Sequence, residues 1–252
     1  MEINLVMKQQ IVDWIYDYTK TNDIHSLVIG VSGGIDSAVT STLCAETGIQ
    51  TILVSMPIMQ NNDELTRARN HIRFLEDKYE NVHGMEKDLT ELFESFQLTF
   101  SDLFTNNLAF ANARARLRMT SLYHIAQTSS GIVVGTGNKV EDFGVGFFTK
   151  YGDGGVDISP IADLMKSEVR DLAKEMGILE EIISAAPTDG LWEDGRTDED
   201  QIGATYEELE WAMNYDGKAE DLFGRQKEIY YIYNKFHNSN KHKMIPIPVF
   251  KR

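Results

Sequence analysis

The stretch LVIGVSGGIDSAVTSTL, from Leu27 to Leu43, restricts the fold of this chain more than any other part of the sequence. It runs from a short apolar segment through a turn with two glycines into residues of helical character. A strand, a glycine turn and a helix in this order make up the first half of a βαβ unit. The stretch therefore predicts an α/β fold whose first strand is buried and parallel to its neighbours.

The following residues continue this alternation of strands and helices. A second β-rich run covers residues 51–54, apolar residues at helical spacing predict helices over 62–79 and 103–128, and residues 132–134 read as a further strand. Such alternation predicts an α/β fold with a doubly wound, largely parallel sheet and helices on both faces. Ligands of such folds bind beyond the carboxyl ends of the strands.

The two ends of the chain are expected to be helical. The first 20 residues have the spacing of an amphipathic helix, and helices are predicted over residues 168–176, 206–213 and 224–235. No internal repeat and no low-complexity linker divides the chain. The prediction is a single domain over residues 1–252 with a helical C-terminal portion.

Composition limits the classes of partner. The formal net charge of -15 argues against binding to nucleic acid, since a protein that holds a phosphate backbone normally presents a basic face. The N-terminus lacks the features of a signal peptide, and no apolar run is long enough for a membrane span. Cys44, the single cysteine, suits a reducing compartment and is expected to be a small buried residue. We expect a soluble cytoplasmic protein.

The SGGIDS turn is suited to binding an anion. Glycines allow backbone N–H groups to converge on an anion, and the following helix directs its positive dipole end to the same place. No lysine follows the glycines, so the turn is not a Walker-type phosphate loop. Asp36 would repel a triphosphate unless a divalent cation lies between them, which makes it a candidate Mg²⁺ ligand. The alternative is an ordinary strand-to-helix turn with Asp36 near the helix cap.

Five segments in order carry a resemblance to a known family: SGGIDS, NARARLRM, GTGNKVED, FFTKYGDGGVD and the HK pair near the C-terminus. Together they resemble ammonia-dependent NAD synthetase, a member of the N-type ATP pyrophosphatases with an adenine-nucleotide alpha hydrolase-like fold. The resemblance implies that deamido-NAD, ATP and ammonia are the substrates. The deamido-NAD carboxylate would attack the α-phosphate of ATP, and ammonia would then displace AMP from the acyl-adenylate.

The resemblance also implies roles for individual residues. The residues expected to bind ATP are Gly30, Ser32, Gly33, Gly34, Asp36, Ser37, Thr136, Lys166 and Thr188. Those expected to bind deamido-NAD are Tyr18, Asn112, Arg116, Lys150, Asp157, His242 and Lys243. Asp36 and Glu141 would hold Mg²⁺, and Asp153 and Lys166 would act in the reaction, with Asp153 where ammonia arrives.

Several of these residues also have an ordinary structural interpretation. Glu141 and Lys166 are of types that usually lie in solvent on helices, and Tyr18 is equally suited to the core. Asn112 and Arg116 share one helix face because they are four residues apart. Arg114 and Arg118 point elsewhere and are expected to form a solvated face.

The chain departs from the family pattern at two places. Ser55 stands where many bacterial relatives have an arginine, and the segment from Glu141 to Lys150 is one residue longer than theirs. By the same resemblance we expect a homodimer. No residues remain for a glutaminase domain, so free ammonia is the expected nitrogen donor.

The segment from Thr188 to Gln201, TDGLWEDGRTDEDQ, is dense in acids. It buries little apolar surface, so we hypothesise a lid that orders over both substrates, the alternative being an exposed loop without a role. Two rival functions remain for the chain: a different ATP pyrophosphatase, amidating or tRNA-modifying, and a nucleotide-binding protein that has lost the reaction.

Overall fold

A computed structural model describes residues 2–101, 106–188 and 197–252 of the chain, with the backbone alone for residues 2–5. Four strands form one parallel sheet in the order β3-β2-β1-β4. The strands are β1 (Ser26–Gly30), β2 (Gln50–Ser55), β3 (Val82–Glu86) and β4 (Gly131–Val133). A further parallel bridge joins Val134 to Ile158. The predicted doubly wound parallel sheet is confirmed.

Helices fill the connections between the strands and make up most of the C-terminal part. They are α1 (Glu2–Thr21), α2 (Ile35–Glu46), α3 (Asn62–Lys78), α4 (Thr90–Thr99), α5 (Asn107–Thr128), α6 (Lys166–Glu175), α7 (Glu180–Ile183), α8 (Asp198–Ile202), α9 (Tyr206–Asn214) and α10 (Gly224–Met244). A π-helical turn covers Val140–Val145 and a 3-10 turn covers Ala219–Asp221. Among the described helices, none combines the length and the apolar character needed to cross a bilayer.

Both faces of the sheet are buried. Successive side chains of a strand point to opposite faces, so Leu27 and Ile29 of β1 pack with α1, α2 and α6 in one core cluster. Val28 points the other way and packs with Met119 and Leu122 of α5 in a second cluster. This two-sided burial explains why β1 reads as a continuous apolar run.

A third cluster joins the C-terminal helices to the π-helical turn. Tyr206 and Leu209 of α9 and Ile229 of α10 pack there against Val140 and Val145. The predicted helical C-terminal portion therefore covers the connection that follows β4. Because a π turn closes its hydrogen bonds one residue further along than an α turn, it holds one residue more.

Several element boundaries differ from the sequence prediction. Helix α2 begins at Ile35, so Asp36 lies in its first turn, and α6 begins at Lys166. Helix α5 begins at Asn107, because the side chain of Asn106 accepts a hydrogen bond from the Ala109 backbone and caps it. Helix α10 runs on to Met244.

The analysis of the sequence missed β3 and α4. Of the five residues in β3 only Val82 is buried, so this edge strand lacks the apolar run that marks β1 and β2. Helix α4 buries Phe93 alone, which leaves its helical period weak.

The order of the strands creates the place where a ligand binds. From β1 the chain first adds β2 and β3 on one side, and it then returns to add β4 on the other side. The connections that leave β1 and β4 diverge at this switch point and open a crevice at the carboxyl end of the sheet. The SGG turn follows β1, and the GTGN segment follows β4.

Candidate active site

The SGG turn is held in shape by its own hydrogen bonds and by helix α3. Gly33 has a φ of +87°, and a Cβ there would lie 2.3 Å from the carbonyl oxygen of Glu64, so both its conformation and its surroundings require glycine. The Ser37 hydroxyl donates to the Gly34 carbonyl at 2.9 Å and accepts from the Ser32 backbone N–H at 3.2 Å. The turn presents the N-terminus of α2 to the crevice.

A cavity of about 740 Å³ extends from this turn along the ends of β1 and β4 to helices α5 and α10. Most residues that the sequence motifs single out line it. These are Gly30, Ser32, Gly34, Asp36, Ser37, Asn112, Arg116, Thr136, Glu141, Lys150, Asp153, Lys166, Thr188, His242 and Lys243.

Three residues of the predicted set lie elsewhere. Gly33 turns its backbone against α3, as described above. Tyr18 packs against the core cluster of α1 and α2, in agreement with its structural alternative. Asp157 lies beside the cavity, where its carboxylate accepts hydrogen bonds from the Val133 backbone at 2.8 Å and from the Tyr123 hydroxyl at 3.1 Å. In this single chain neither Tyr18 nor Asp157 lines the cavity.

The centre of the cavity holds one lysine between two carboxylates. Lys166 Nζ lies 2.5 Å from Asp36 Oδ2 and 2.9 Å from Glu141 Oε1. Lys166 is only 2% exposed, which makes the interpretation as a solvated helix lysine wrong. An isolated buried charge is costly, so these three groups depend on one another.

The state of charge of each group in this triad depends on its burial and on the charges of the other two. Burial raises the pKa of Asp36, against the opposing effect of the Lys166 charge. Burial also works to raise the pKa of Glu141, but the Lys166 charge and a hydrogen bond from Tyr206 outweigh it, so that pKa is lowered. For Lys166 the two carboxylates outweigh burial and raise the pKa, so its side chain remains an ammonium group at neutral pH.

Two buried residues that the sequence analysis did not select hold the carboxylates in place. Asn138, fully buried, donates from Nδ2 to Asp36 Oδ1 at 3.2 Å, and its Oδ1 accepts from the backbone N–H of Glu141 at 3.1 Å. The hydroxyl of Tyr206 donates to Glu141 Oε1 at 2.5 Å. Asn138 belongs to the GTGN segment, so this motif could have indicated it as a site residue. No sequence motif marks Tyr206.

The other half of the cavity is assembled from α5, the FFTKYGD loop and α10. Thr149 donates to Asn112 Oδ1 at 2.6 Å, and Arg116 Nε donates to the Lys150 carbonyl at 3.2 Å. Lys150 Nζ in turn donates to the His242 carbonyl at 3.1 Å. These contacts bring residues together that are up to 92 positions apart in the sequence.

Asp153 lies in this half, and its carboxyl group has a raised pKa. Its Oδ1 accepts a hydrogen bond from the Thr149 backbone at 3.0 Å. Burial by the surrounding protein raises the pKa of Asp153 to about 6, although its side chain faces the open cavity. The nearby Asp142 also lines the cavity, and burial together with the charges of Glu141, Asp153 and Asp36 raises its pKa to about 8.

Helix α3 contributes residues that the sequence analysis did not predict. Arg67 lines the cavity and donates from Nε to the Gly33 carbonyl at 3.2 Å. Glu64 accepts hydrogen bonds from Gln60 at 3.0 Å and from the Thr188 hydroxyl at 2.6 Å. No motif marks α3 in the sequence, and only its packing against the SGG turn reveals these residues.

Two arginines of α5 require a correction. We expected Arg114 and Arg118 to form a solvated face, but both are half-buried. Arg114 stacks over the ring of Phe93 at 5.0 Å. Arg118 lines the cavity and donates from Nε to the Met56 carbonyl at 3.0 Å, next to Ser55.

The prediction for Cys44 is confirmed, since this residue is fully buried and burial raises the pKa of its thiol.

The lid hypothesis concerns a segment of which residues 189–196 lie outside the described part of the chain, so it stays a prediction. A hydrogen bond joins the residues before this gap to those after it, since the Asp198 backbone N–H donates to the Pro187 carbonyl at 3.0 Å.

The pair of carboxylates fits a magnesium ion. Mg²⁺ prefers oxygen ligands and is usually bound by one or two carboxylates together with phosphate oxygens of a substrate. Asp36 and Glu141 converge on a single cationic group, the Lys166 ammonium. Within the described ranges, no group of three or more His, Cys, Asp or Glu side chains is arranged to hold a metal ion by itself. A metal ion here would therefore be bound by these two carboxylates together with oxygens of a bound phosphate.

A parallel sheet with an anion-binding turn at its switch point defines an α/β nucleotide-binding protein. The sequence matches the family model described as NAD synthase over residues 7–246. It is 41% identical over 203 residues to the NH(3)-dependent NAD(+) synthetase of Mesoplasma florum, covering 79% of this chain and 80% of that protein. The chain belongs to the NAD synthase family.

Solved structures of similar proteins agree with this. The NMN synthetase from Francisella tularensis is 34% identical, with a TM-score of 0.88 and 99% of both chains covered. The NH3-dependent NAD synthetase from Campylobacter jejuni, solved in complex with the nitrate ion, is 24% identical, with a TM-score of 0.79 over 98% of this chain and 99% of that one. At 24% identity, this second similarity shows a shared fold and no more.

Proposed function

We infer that this protein is an ammonia-dependent NAD synthetase, which converts deamido-NAD to NAD with ATP in the last step of NAD biosynthesis. A carboxylate oxygen of deamido-NAD attacks the α-phosphorus of ATP, and the bond to pyrophosphate breaks. Ammonia then attacks the acyl carbon, loses a proton and displaces AMP.

The observation that carries this proposal is the Lys166 ammonium between Asp36 and Glu141, at the edge of the SGG turn. An anion that attacks a polyanion needs cationic groups at the reacting phosphate, because the barrier is largely electrostatic. The cavity concentrates such groups in a protein whose net charge is -15, since it is lined by Arg67, Arg116, Arg118, Lys150, Lys166, Arg170 and Lys243.

In our proposal ATP occupies the half of the cavity formed by β1, α2 and α3. Backbone N–H groups of the SGG turn, with Ser32 and Ser37, bind the pyrophosphate part, and Thr136 and Thr188 contact the nucleotide. Asp36 and Glu141 would hold Mg²⁺, which would neutralise phosphate charge. Lys166 then turns from the carboxylates towards the phosphates.

Deamido-NAD occupies the half formed by α5, the FFTKYGD loop and α10. Asn112 and Arg116 offer an amide and a forked guanidinium to its polar groups, and Lys150, His242 and Lys243 close this end. Asp153 receives ammonium and accepts its proton, a role for which a pKa of about 6 suits a carboxylate near neutral pH. Tyr18 and Asp157 do not line this cavity, and their contacts to the dinucleotide stay a prediction.

We also propose that the protein is a cytoplasmic homodimer. Helix α5 carries exposed apolar residues, among them Leu108 at 59% exposure, on the element that also carries Asn112 and Arg116. A second copy packed on this helix would lie next to the dinucleotide half of the cavity. Light scattering tests this, because a monomeric mass with full activity would contradict it.

The test of the reaction is direct. The protein is mixed with ATP, Mg²⁺, deamido-NAD and an ammonium salt, and NAD, AMP and pyrophosphate are measured. We expect the three products in equal amounts and none without deamido-NAD. ATP binding without turnover would support a nucleotide-binding protein instead, and the finding of ADP and phosphate would exclude the mechanism.

A second candidate substrate follows from one comparison. The NMN synthetase from Francisella tularensis combines the higher identity, 34%, with the higher TM-score, 0.88, of the two structures described above. The same chemistry on nicotinic acid mononucleotide would give NMN. Both substrates present a nicotinate carboxylate, and they differ in whether an adenosine phosphate is attached.

Competition between the two substrates decides between them. Equal concentrations of deamido-NAD and nicotinic acid mononucleotide are supplied together with limiting ATP, and the ratio of NAD to NMN gives the ratio of the two kcat/KM values. We expect NAD to exceed NMN. A product that is mainly NMN would assign the mononucleotide reaction to this chain.

A further inference from the structure

We propose that Tyr206 is a positioning residue for this reaction, which fixes Glu141 and Lys166 in the geometry that binds metal and phosphate. The proposal rests on the function proposed above. Tyr206 lies behind these two residues and does not line the cavity, so it acts through them.

The hydroxyl of Tyr206 selects one oxygen of Glu141. It donates to Oε1 at 2.5 Å, the same oxygen that accepts from Lys166 at 2.9 Å. A carboxylate with one oxygen tied in this way cannot rotate freely, which fixes the direction in which Glu141 presents its charge to a cation in the cavity. Hydrogen bonds of this kind orient metal ligands in other proteins, and their loss costs about 10-fold to 100-fold in metal affinity or activity.

The ring of Tyr206 acts on Lys166. Lys166 Nζ lies 4.7 Å from the centre of the ring, within the range of a cation–π interaction. The ammonium group is thus held by two carboxylates on one side and by an aromatic face on another. A lysine that turns towards a phosphate needs such a defined starting position, since a long flexible side chain otherwise samples many rotamers.

Tyr206 is itself rigidly placed. It is 1% exposed and packs in the cluster formed by α9, α10 and the π-helical turn. Its backbone N–H donates to Glu199 Oε1 at 3.0 Å, and Thr205 caps the helix that begins with it. The hydroxyl also lies 3.2 Å from Asp198 Oδ2, on helix α8. Because these contacts fix the position of Tyr206, its hydroxyl can orient the carboxylate of Glu141.

The experiment uses Tyr206→Phe, which removes the hydroxyl and keeps the ring. Tyr79→Phe is the matched control, because the Tyr79 hydroxyl also donates to a glutamate, Glu46, at 3.4 Å, but lies outside the cavity. Mn²⁺ binding is followed by electron paramagnetic resonance in the presence of an ATP analogue with a methylene group between the α- and β-phosphorus atoms. All titrations are made at temperatures at which circular dichroism shows that each variant is fully folded.

We expect Tyr206→Phe to raise the Kd of Mn²⁺ by about 10-fold and to lower kcat by a similar factor, while the KM of deamido-NAD changes less than about 2-fold. Tyr79→Phe should match the unmodified protein in each measurement. If Tyr206→Phe lowers the melting temperature but leaves both the Kd of Mn²⁺ and kcat unchanged, its role is structural and the proposal is overturned.

A further variant separates this result from a failure of the proposed function. Asp36→Asn removes a predicted metal ligand and should abolish the Mn²⁺ signal of the complex. If Asp36→Asn binds Mn²⁺ as the unmodified protein does, the metal assignment fails, and the proposal for Tyr206 fails with it. If Asp36→Asn loses binding and Tyr206→Phe does not, only the positioning role is refuted.

Discussion

Lys166 Nζ lies 2.5 Å from Asp36 Oδ2, so the first turn of α2 and the first residue of α6 are joined by a buried ion pair across 130 positions of sequence. The ammonium group occupies the place between two carboxylates that a divalent cation would take. Both cations cannot occupy it together, since their charges repel at such distances.

The first prediction concerns this competition. Lys166→Met should raise the affinity for Mn²⁺ in the absence of nucleotide by at least about 10-fold, because two carboxylates lose their internal cation. The free energy of unfolding without metal should fall by about 3–5 kcal/mol. Thermal unfolding with and without Mn²⁺ measures both effects. The control is Lys139→Met, whose ammonium group pairs with Asp163 at 2.8 Å outside this cavity. An unchanged Mn²⁺ affinity in Lys166→Met would contradict the arrangement.

The second prediction concerns the two carboxylates. Asp36→Asn and Glu141→Gln should each lower kcat/KM by at least about 100-fold, because each removes ligand charge from a phosphate site. The fold should persist, since both substitutions preserve the shape of the side chain. NAD formation and far-ultraviolet circular dichroism provide the two readouts. Near-normal turnover by either variant would remove that residue from the metal site.

The third prediction concerns Arg67. Its guanidinium is tied to the Gly33 carbonyl at 3.2 Å and lines the cavity beside the SGG turn, where it is placed to meet a polyphosphate. Arg67→Ala should raise the KM of ATP by about 10-fold, the effect of losing a hydrogen bond to a charged group. The KM of deamido-NAD should not change. Arg73→Ala is the control, because Arg73 is exposed on the same helix, and equal effects of the two variants would refute a specific role.

The fourth prediction concerns the pH dependence of stability. His71 is buried against α2, where its Nε2 lies 2.8 Å from the Ser41 hydroxyl, and burial lowers its pKa from 6.5 to about 4. Between these two pH values the unfolded chain binds a proton that the folded protein does not bind. The contribution to stability is therefore complete above pH 6.5 and is lost as the pH falls towards 4, with a slope of at most about 1.4 kcal/mol per pH unit.

His71→Gln should remove this dependence. Urea unfolding at pH 7, 6 and 5 gives the free energy of unfolding for both proteins. The variant should lose less stability between pH 7 and 5 than the unmodified protein, whatever its stability at pH 7. Parallel curves for the two proteins would mean that His71 binds its proton equally well in the folded and unfolded states, and would contradict the lowered pKa.

The sequence by itself determined the class of fold and the position of the crevice beyond the end of β1. Leu27 to Gly34 is a buried strand followed by a glycine turn, and both signals are local: side-chain hydrophobicity sets the strand, and the conformational freedom of Gly33 sets the turn. Helices α3, α9 and α10 were predicted at nearly their observed starting points because their apolar periods are regular.

Only the tertiary structure decided which of the polar residues belong together and in what state of charge. Nothing near Tyr206 in the sequence marks it as a partner of Glu141, and Lys166 has the local pattern of a solvated helix lysine. Their roles arise from burial and from distances of 2.5 to 2.9 Å between groups that are distant in sequence. Burial and charge–charge interactions depend on the position of every surrounding element, so they exist only once α2, α6, α9 and the π-helical turn have packed together.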